Sequence, residues 1–271
     1  MARKKPTMLL QIINGVVIGS LVAYLGLCLF AIFFANRMIF PAPEPSYTDS
    51  KEYVKLPLRS GKEITTLYLE NPDAEFTILY SHGNGEDLGT IRPFLEDLRR
   101  RGFSVMAYDY PGYGTSEGRP TEQSCLEAIA AVFSYLVVLR DVEPDKIILF
   151  GRSLGGGPTI ALASKKVVAG VITDGTYSST FRVVTKRKLL PWDVFDNLAV
   201  IDEINCPILI MHGTEDGTVP FAHAEDLFEK AKDPKYKLFI EGANHNNLVE
   251  LAGSRYWDAI ESFTESLSKP Q

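Results

Sequence analysis

The sequence predicts an α/β fold: a mostly parallel central sheet with helices on both faces, preceded by one N-terminal transmembrane helix. Three patterns carry that expectation. From residue 76 onward short apolar runs alternate with helical stretches, the order that builds a parallel sheet. Glycine-rich turns follow several of those runs, and open α/β sheets bind ligands at the carboxyl ends of their strands. Residues 8–34 carry no charge over 27 positions, more than the ~20 needed to span a bilayer.

The apolar segment comes first. Gln11, Asn14 and Ser20 are its main polar members. A cleaved signal peptide has an apolar core of about 7–15 residues and an Ala-x-Ala-like site. This run is longer, and Phe33 stands at −3 if Ala35 is −1. Leu27 is too large to precede a lipoprotein cysteine at Cys28. The segment therefore reads as an uncleaved anchor. Arg3, Lys4 and Lys5 precede it, which keeps the N-terminus cytoplasmic and puts the rest on the periplasmic, extracellular or lumenal side. The division is residues 1–35 for the cytoplasmic N-terminus and anchor, 36–50 for a linker stiffened by Pro41, Pro43 and Pro45, and 51–271 for the main domain.

Residues 51–58 and 63–70 alternate as an antiparallel pair around Ser60-Gly61. Strands are expected at 76–80, 103–108, 146–150, 168–173, 207–211 and 236–240, and helices at 90–101, 121–139, 156–164, 222–232 and 247–267. Residues 175–205 leave room only for a minimal cap. They hold Arg182, Lys186, Arg187 and Lys188, then Leu189-Leu190-Pro191-Trp192. The segment reads as a solvated connector or as a small basic-aromatic lid. So little cover predicts an open site.

Gly151-Arg152-Ser153-Leu154-Gly155 follows the strand at 146–150 and precedes a helix. That is the setting of a nucleophile elbow, a sharp turn that presents Ser153 and demands small flanking residues. A serine nucleophile needs a base and an orienting acid, in the order Ser, acid, His on this topology. Asp216 lies in His212-Gly213-Thr214-Glu215-Asp216 after a strand, and the spacing to Val219-Pro220 favours it over Glu215. Four histidines are present. His82 and His212 precede the acid, and His223 reads as an exposed helical residue. His245 follows the last strand and is the candidate base. Tyr80-Ser81-His82-Gly83-Asn84-Gly85 follows the strand at 76–80. Backbone N–H groups of Asn84 and Leu154 would form the oxyanion hole. In Asp109-Tyr110-Pro111-Gly112-Tyr113-Gly114 the glycines and proline are turn chemistry, and Asp109 reads as structural.

From about Lys51 onward these motifs and their spacing resemble the α/β-hydrolase superfamily. They are similar to its Bem46-like branch, which includes the abhydrolase-domain 13 and 17 proteins. The resemblance implies an α/β-hydrolase fold, and the type-17 proteins imply protein depalmitoylation. Those depalmitoylases carry an acylated N-terminal cysteine cluster. This chain has an apolar segment there instead, as the type-13 proteins do.

Composition limits the rest. The formal charge is −6; residues 1–40 hold four basic residues and no acid, leaving −10 for the remainder. An acidic domain argues against nucleic acid as a partner. Cys28, Cys125 and Cys206 read as free thiols, with a Cys125–Cys206 bond open. No metal-ligand spacing or phosphate loop is present, so no cofactor is expected. The expected activity is a membrane-anchored serine esterase or thioesterase acting on a lipid, a small ester or an acylated protein. Protein depalmitoylation is the alternative. Peptidase or haloperoxidase-like chemistry and a non-catalytic binding protein are the remaining readings.

Overall fold

The computed structural model describes residues 8–268, so Arg3, Lys4 and Lys5 lie outside the described residues. Two units emerge, divided between Ile39 and Phe40. The first is helix α1, Met8–Ile39. Its 32 residues are about 48 Å long at 1.5 Å per residue, against a hydrocarbon core of ~30 Å. Its most apolar window has a mean hydropathy of 2.5, and large apolar side chains along it are exposed. It is a candidate membrane span.

The second unit is an eight-stranded sheet in the order β1-β2-β4-β3-β5-β6-β7-β8. The strands are β1 Tyr53–Pro57, β2 Glu63–Leu69, β3 Thr77–Ser81, β4 Ser104–Tyr108, β5 Ile147–Arg152, β6 Gly170–Asp174, β7 Ile208–Gly213 and β8 Lys235–Ile240. Only the β1–β2 and β2–β4 pairs are antiparallel. β3, β4 and β6 are buried at every position, the mark of strands covered on both faces. The core packs Ile78, Tyr80, Val105, Ile148, Phe150 and Ile172 against Leu95 and Leu98 on one side and Tyr256 and Ile260 beyond.

The helices are α2 Leu88–Arg100, α3 Glu122–Leu139, α4 Gly156–Ala163, α5 Thr180–Thr185, α6 Asn197–Val200, α7 Ala222–Lys230, α8 Leu248–Ala252 and α9 Ser254–Leu267. α2 begins before the expected residue 90, because Asp87 caps it. The Thr90 N–H donates to Asp87 Oδ1 and the Asp87 N–H to Thr90 Oγ1, each at 2.9 Å. The expected single helix at 247–267 is two, broken at Gly253, whose φ of +57° and ψ of −129° fit no helix. α3 is apolar enough to pass for a span but buries one stripe, from Cys125 to Leu136, in the domain. Residues 175–205 hold only α5, α6 and a 3₁₀ turn, so the cap is minimal. The three cysteines are free thiols. Burial pushes the Cys206 thiol up to about 12.

Two stretches differ from their sequence readings. Residues 36–39 are helical, and the proline-rich chain after them packs on the domain. Phe40 is buried edge-on to Phe195, with ring centroids 6.5 Å apart. The Ser46 N–H donates to Asp87 Oδ2 at 2.6 Å, and Tyr47 Oη donates to Asp109. His223 is buried, not exposed, because it shares the inward stripe of α7 with Ala224 and Leu227. Its Nδ1 accepts from the Ser178 N–H at 3.3 Å and lies 2.8 Å from Ser178 Oγ.

Two predictions follow from this packing. A Cβ on Gly155 would overlap the main-chain carbonyl of Ser81, which cannot rotate away. A Cβ on Gly157 would overlap the Phe195 ring, which can turn. Gly155→Ala should therefore cost about 3 kcal/mol and Gly157→Ala about 1; equal urea midpoints for the two would contradict this. Burial lowers the pKa of His223 from 6.5, although Asp226 opposes the shift. Its contribution to stability is complete above 6.5 and is lost as pH falls below that toward the depressed folded value. His223→Asn keeps an acceptor that does not titrate. Unfolding between pH 7 and pH 5 should show a flatter stability curve for this variant than for the wild type.

Candidate active site

β5 ends at Arg152, and Ser153 turns the chain with φ at +50°. A non-glycine residue in that region costs about 1–3 kcal/mol and persists only where its surroundings dictate it. Here they do. A Cβ on Gly151 would stand 2.5 Å from the Gly155 carbonyl, so only glycine lets the turn close. The absent Cβ of Gly156 makes room for Thr176, whose hydroxyl lies 3.3 Å from the Ser153 carbonyl and donates to it. The elbow thus wedges between the ends of β3 and β6.

The candidate acid and base come from the loops after β7 and β8. Asp216 follows β7. Its Oδ1 accepts the N–H groups of Thr218 at 2.8 Å and Val219 at 2.7 Å. These bonds turn Oδ2 toward His245, whose Nδ1 lies 2.6 Å away. His245 Nε2 is 2.9 Å from Ser153 Oγ. Burial alone would raise the pKa of Asp216. Hydrogen bonds from His212, His245 and the Val219 N–H outweigh it and hold the carboxyl well below the usual range. Gly175, at φ +61°, lies beneath the ring: a Cβ there would be 3.2 Å from His245 Cε1.

The two loops are tied to each other. The Gly242 N–H donates to Thr214 Oγ1 at 3.0 Å and the Glu215 N–H to the Ala243 carbonyl at 2.9 Å. Asn244 and Asn247 brace the His245 loop internally: Asn244 Oδ1 accepts from the Asn246 and Asn247 N–H groups, and Asn247 Oδ1 from the Asn244 N–H. That explains the asparagines around His245. Ser153 and Asp216 are buried and His245 is half-buried, while Glu215 is exposed.

Asn84 and Leu154 occupy loops on neighbouring strands. Ser81 pairs with Gly151, and the elbow backbone rests on residues 81 and 82. Asn84 is exposed, and its carbonyl accepts from Tyr113 Oη at 3.1 Å; Leu154 is buried. Asp109 is a strut, accepting the Leu88 N–H at 2.9 Å.

Several neighbours were invisible in the sequence. His212 was set aside by chain order, yet its buried ring lies 3.3 Å from Asp216 Oδ2, and its Nε2 donates to the Val219 carbonyl at 2.8 Å. Arg152, the variable residue of the elbow motif, pairs with Glu86. In the segment after β6, residues 182–192 expose Val184, Leu189 and Trp192 among Lys186, Arg187 and Lys188. Among the described residues no set of three or more His, Cys, Asp or Glu side chains could hold a metal ion.

A family model described as the alpha/beta hydrolase fold matches residues 77–192. Alpha/beta hydrolase domain-containing protein 17B of Homo sapiens is 32% identical over 260 residues, spanning 84% of this chain and 90% of its own length. Alpha/beta hydrolase domain-containing protein aho-3 of Caenorhabditis elegans is 32% identical, spanning 87% and 79%. A solved esterase from Pyrococcus furiosus superposes with a TM-score of 0.68 at 18% identity, over 84% of this chain and 97% of its own, and shows the fold. The chain belongs to the α/β-hydrolase family, in the branch of the domain-containing 17 proteins.

Proposed function

We propose that the protein is a membrane-tethered serine hydrolase that cleaves acyl esters or thioesters. The observation that carries this reading is one imidazole bridging Ser153 Oγ at 2.9 Å and Asp216 Oδ2 at 2.6 Å, with the serine held in a left-handed turn. His245 Nε2 takes the proton as Ser153 Oγ attacks the acyl carbonyl. Asp216 holds the Nδ1–H tautomer and stabilises the cationic ring. The N–H groups of Asn84 and Leu154 receive the oxyanion. His245 then returns its proton to the departing alcohol or thiol. Water, deprotonated by the same ring, releases the acid and restores Ser153.

The match to domain-containing protein 17B over most of both chains supports an acylated-protein thioester as one substrate, with the protein thiol as leaving group. The minimal cap and the exposed segment at 182–192 suit so bulky a substrate. α1 supplies the tether. The charge of Arg3, Lys4 and Lys5 supports an orientation with the N-terminus in the cytoplasm and the catalytic domain on the far side. That side favours lipid or extracytoplasmic ester substrates over cytosolic acyl-proteins.

Ser153→Ala and His245→Ala should each abolish hydrolysis of p-nitrophenyl and thioester substrates with unchanged melting temperatures, since such residues act as a unit. Asp216→Asn should cost on the order of 10⁴-fold, as in protease triads, and Glu215→Gln little. Turnover by Ser153→Ala near the wild-type rate sinks the assignment. The full chain should also sediment with membranes and resist carbonate extraction. Protease outside intact cells, or outside spheroplasts of a Gram-negative host, should digest the catalytic domain. Digestion only after permeabilisation would reverse the orientation and leave cytosolic acyl-proteins as the substrates.

A further inference from the structure

Beneath the base lies a charged cluster that the proton relay does not use. Arg152 ends β5, and its guanidinium pairs with Glu86 Oε1. Exposed ion pairs contribute little. These side chains are only 22% and 25% exposed, and each has a second task. Glu86 Oε2 accepts the Gly83 N–H at 2.7 Å, at the start of the loop that carries Asn84. Arg152 Nη2 donates to the His245 carbonyl at 3.2 Å and to Asn246 Oδ1 at 3.3 Å. One ion pair therefore joins three loops: oxyanion, nucleophile and base.

The surroundings are built for it. A Cβ on Gly83 would lie 2.9 Å from Glu86 Oε2 and 3.6 Å from Arg152 Nη1, so the glycine leaves room for the pair. Asp174, in register with Arg152 on β6, is buried and accepts from Tyr256 Oη at 2.8 Å. Burial lowers the pKa of Arg152, but Glu86 and then Asp174 more than reverse that, so the guanidinium stays charged. Its planar fork can hold a carboxylate and a carbonyl together, which a lysine ammonium cannot do with the same geometry.

We propose that Arg152 and Glu86 form a buckle that positions the His245 loop and the Asn84 loop around Ser153. The proposal rests on the serine hydrolase reading above. Arg152 and Glu86 are positioning residues, acting through His245 and the Gly83–Asn84 backbone. Misplacing a catalytic group by about 1 Å can cost on the order of 100-fold.

The test measures how fast a fluorophosphonate labels Ser153 in the full-length protein, and to what final stoichiometry. The final stoichiometry counts folded sites and the rate reports their alignment. Arg152→Lys and Glu86→Gln should label to completion about 100-fold more slowly, with kcat reduced and KM nearly unchanged. The double variant should be no slower than the slower single, because the pair acts as one. Arg152→Ala should regain rate with added guanidinium, at concentrations that leave its melting temperature unchanged, and not with sodium. If Arg152→Ala does not fold, the two conservative variants carry the test. Wild-type labelling rates in Arg152→Lys and Glu86→Gln would overturn the buckle while leaving the hydrolase reading intact. So would a loss confined to labelling stoichiometry, the sign of a purely structural role. A wild-type protein that takes no label overturns the hydrolase reading, and the buckle with it.

Discussion

A left-handed backbone at Ser153 constrains nearly everything around it. The turn can close only if Gly151 and Gly155 lack side chains, and only if β3 stands close enough for Gly155 to rest on Ser81. That closeness makes the sheet order near the elbow a chemical requirement as well as a topological one. β3 and β6 flank β5, and each brings one end to the serine: β3 the His-Gly-Asn loop, β6 the Gly175-Thr176 corner beneath the imidazole. Strain at one residue is thus held by the Ser81 main-chain carbonyl from one neighbour and the Thr176 hydroxyl from the other. Side chains could relax under such load; carbonyls in a sheet cannot.

Charge is arranged with similar economy. The domain is acidic overall, yet the groups near Ser153 are paired locally. Asp216 is held ionised by two amides and two imidazoles. Asp174 is the counter-case. Burial raises its pKa, and Arg152, the Tyr256 hydroxyl and, more weakly, His245 and His212 oppose the rise without cancelling it. One carboxylate ends β6 and the other follows β7, its neighbour in the sheet, and their surroundings push them in opposite directions. Tuning by hydrogen-bond count, with burial opposing it in both, is enough to explain the difference.

Much of this was legible in the chain. Strand positions came from short apolar runs, and the serine, Asp216 and His245 from glycine-marked turns after them, because turn chemistry is local. What was missed is non-local. Arg152 meets Glu86 and His245 from 66 and 93 residues away, and the elbow motif leaves its position unspecified. His212 sits on the wrong side of the acid in sequence and beside it in space. His223 looked exposed because its neighbours Glu225 and Asp226 are polar, although its spacing to Leu227 already put it on the inward stripe. Residues 41–45 looked like a free linker because three prolines in five residues resemble one, and nothing local announces Asp87 and Asp109 as partners for Ser46 and Tyr47.

That last contact decides where the molecule can be cut. The proline-rich stretch reads as an obvious place to sever the second unit from α1. Yet Ser46 holds the carboxylate that caps α2, Tyr47 holds the aspartate that braces the start of the same helix, and Phe40 fills a space against Phe195. A chain trimmed to begin at Tyr47 would strip one partner from Asp87 and leave Phe195 without its cover. The stretch from Phe40 onward is a strap sewn along the domain, and an intact catalytic half begins at its first stitch.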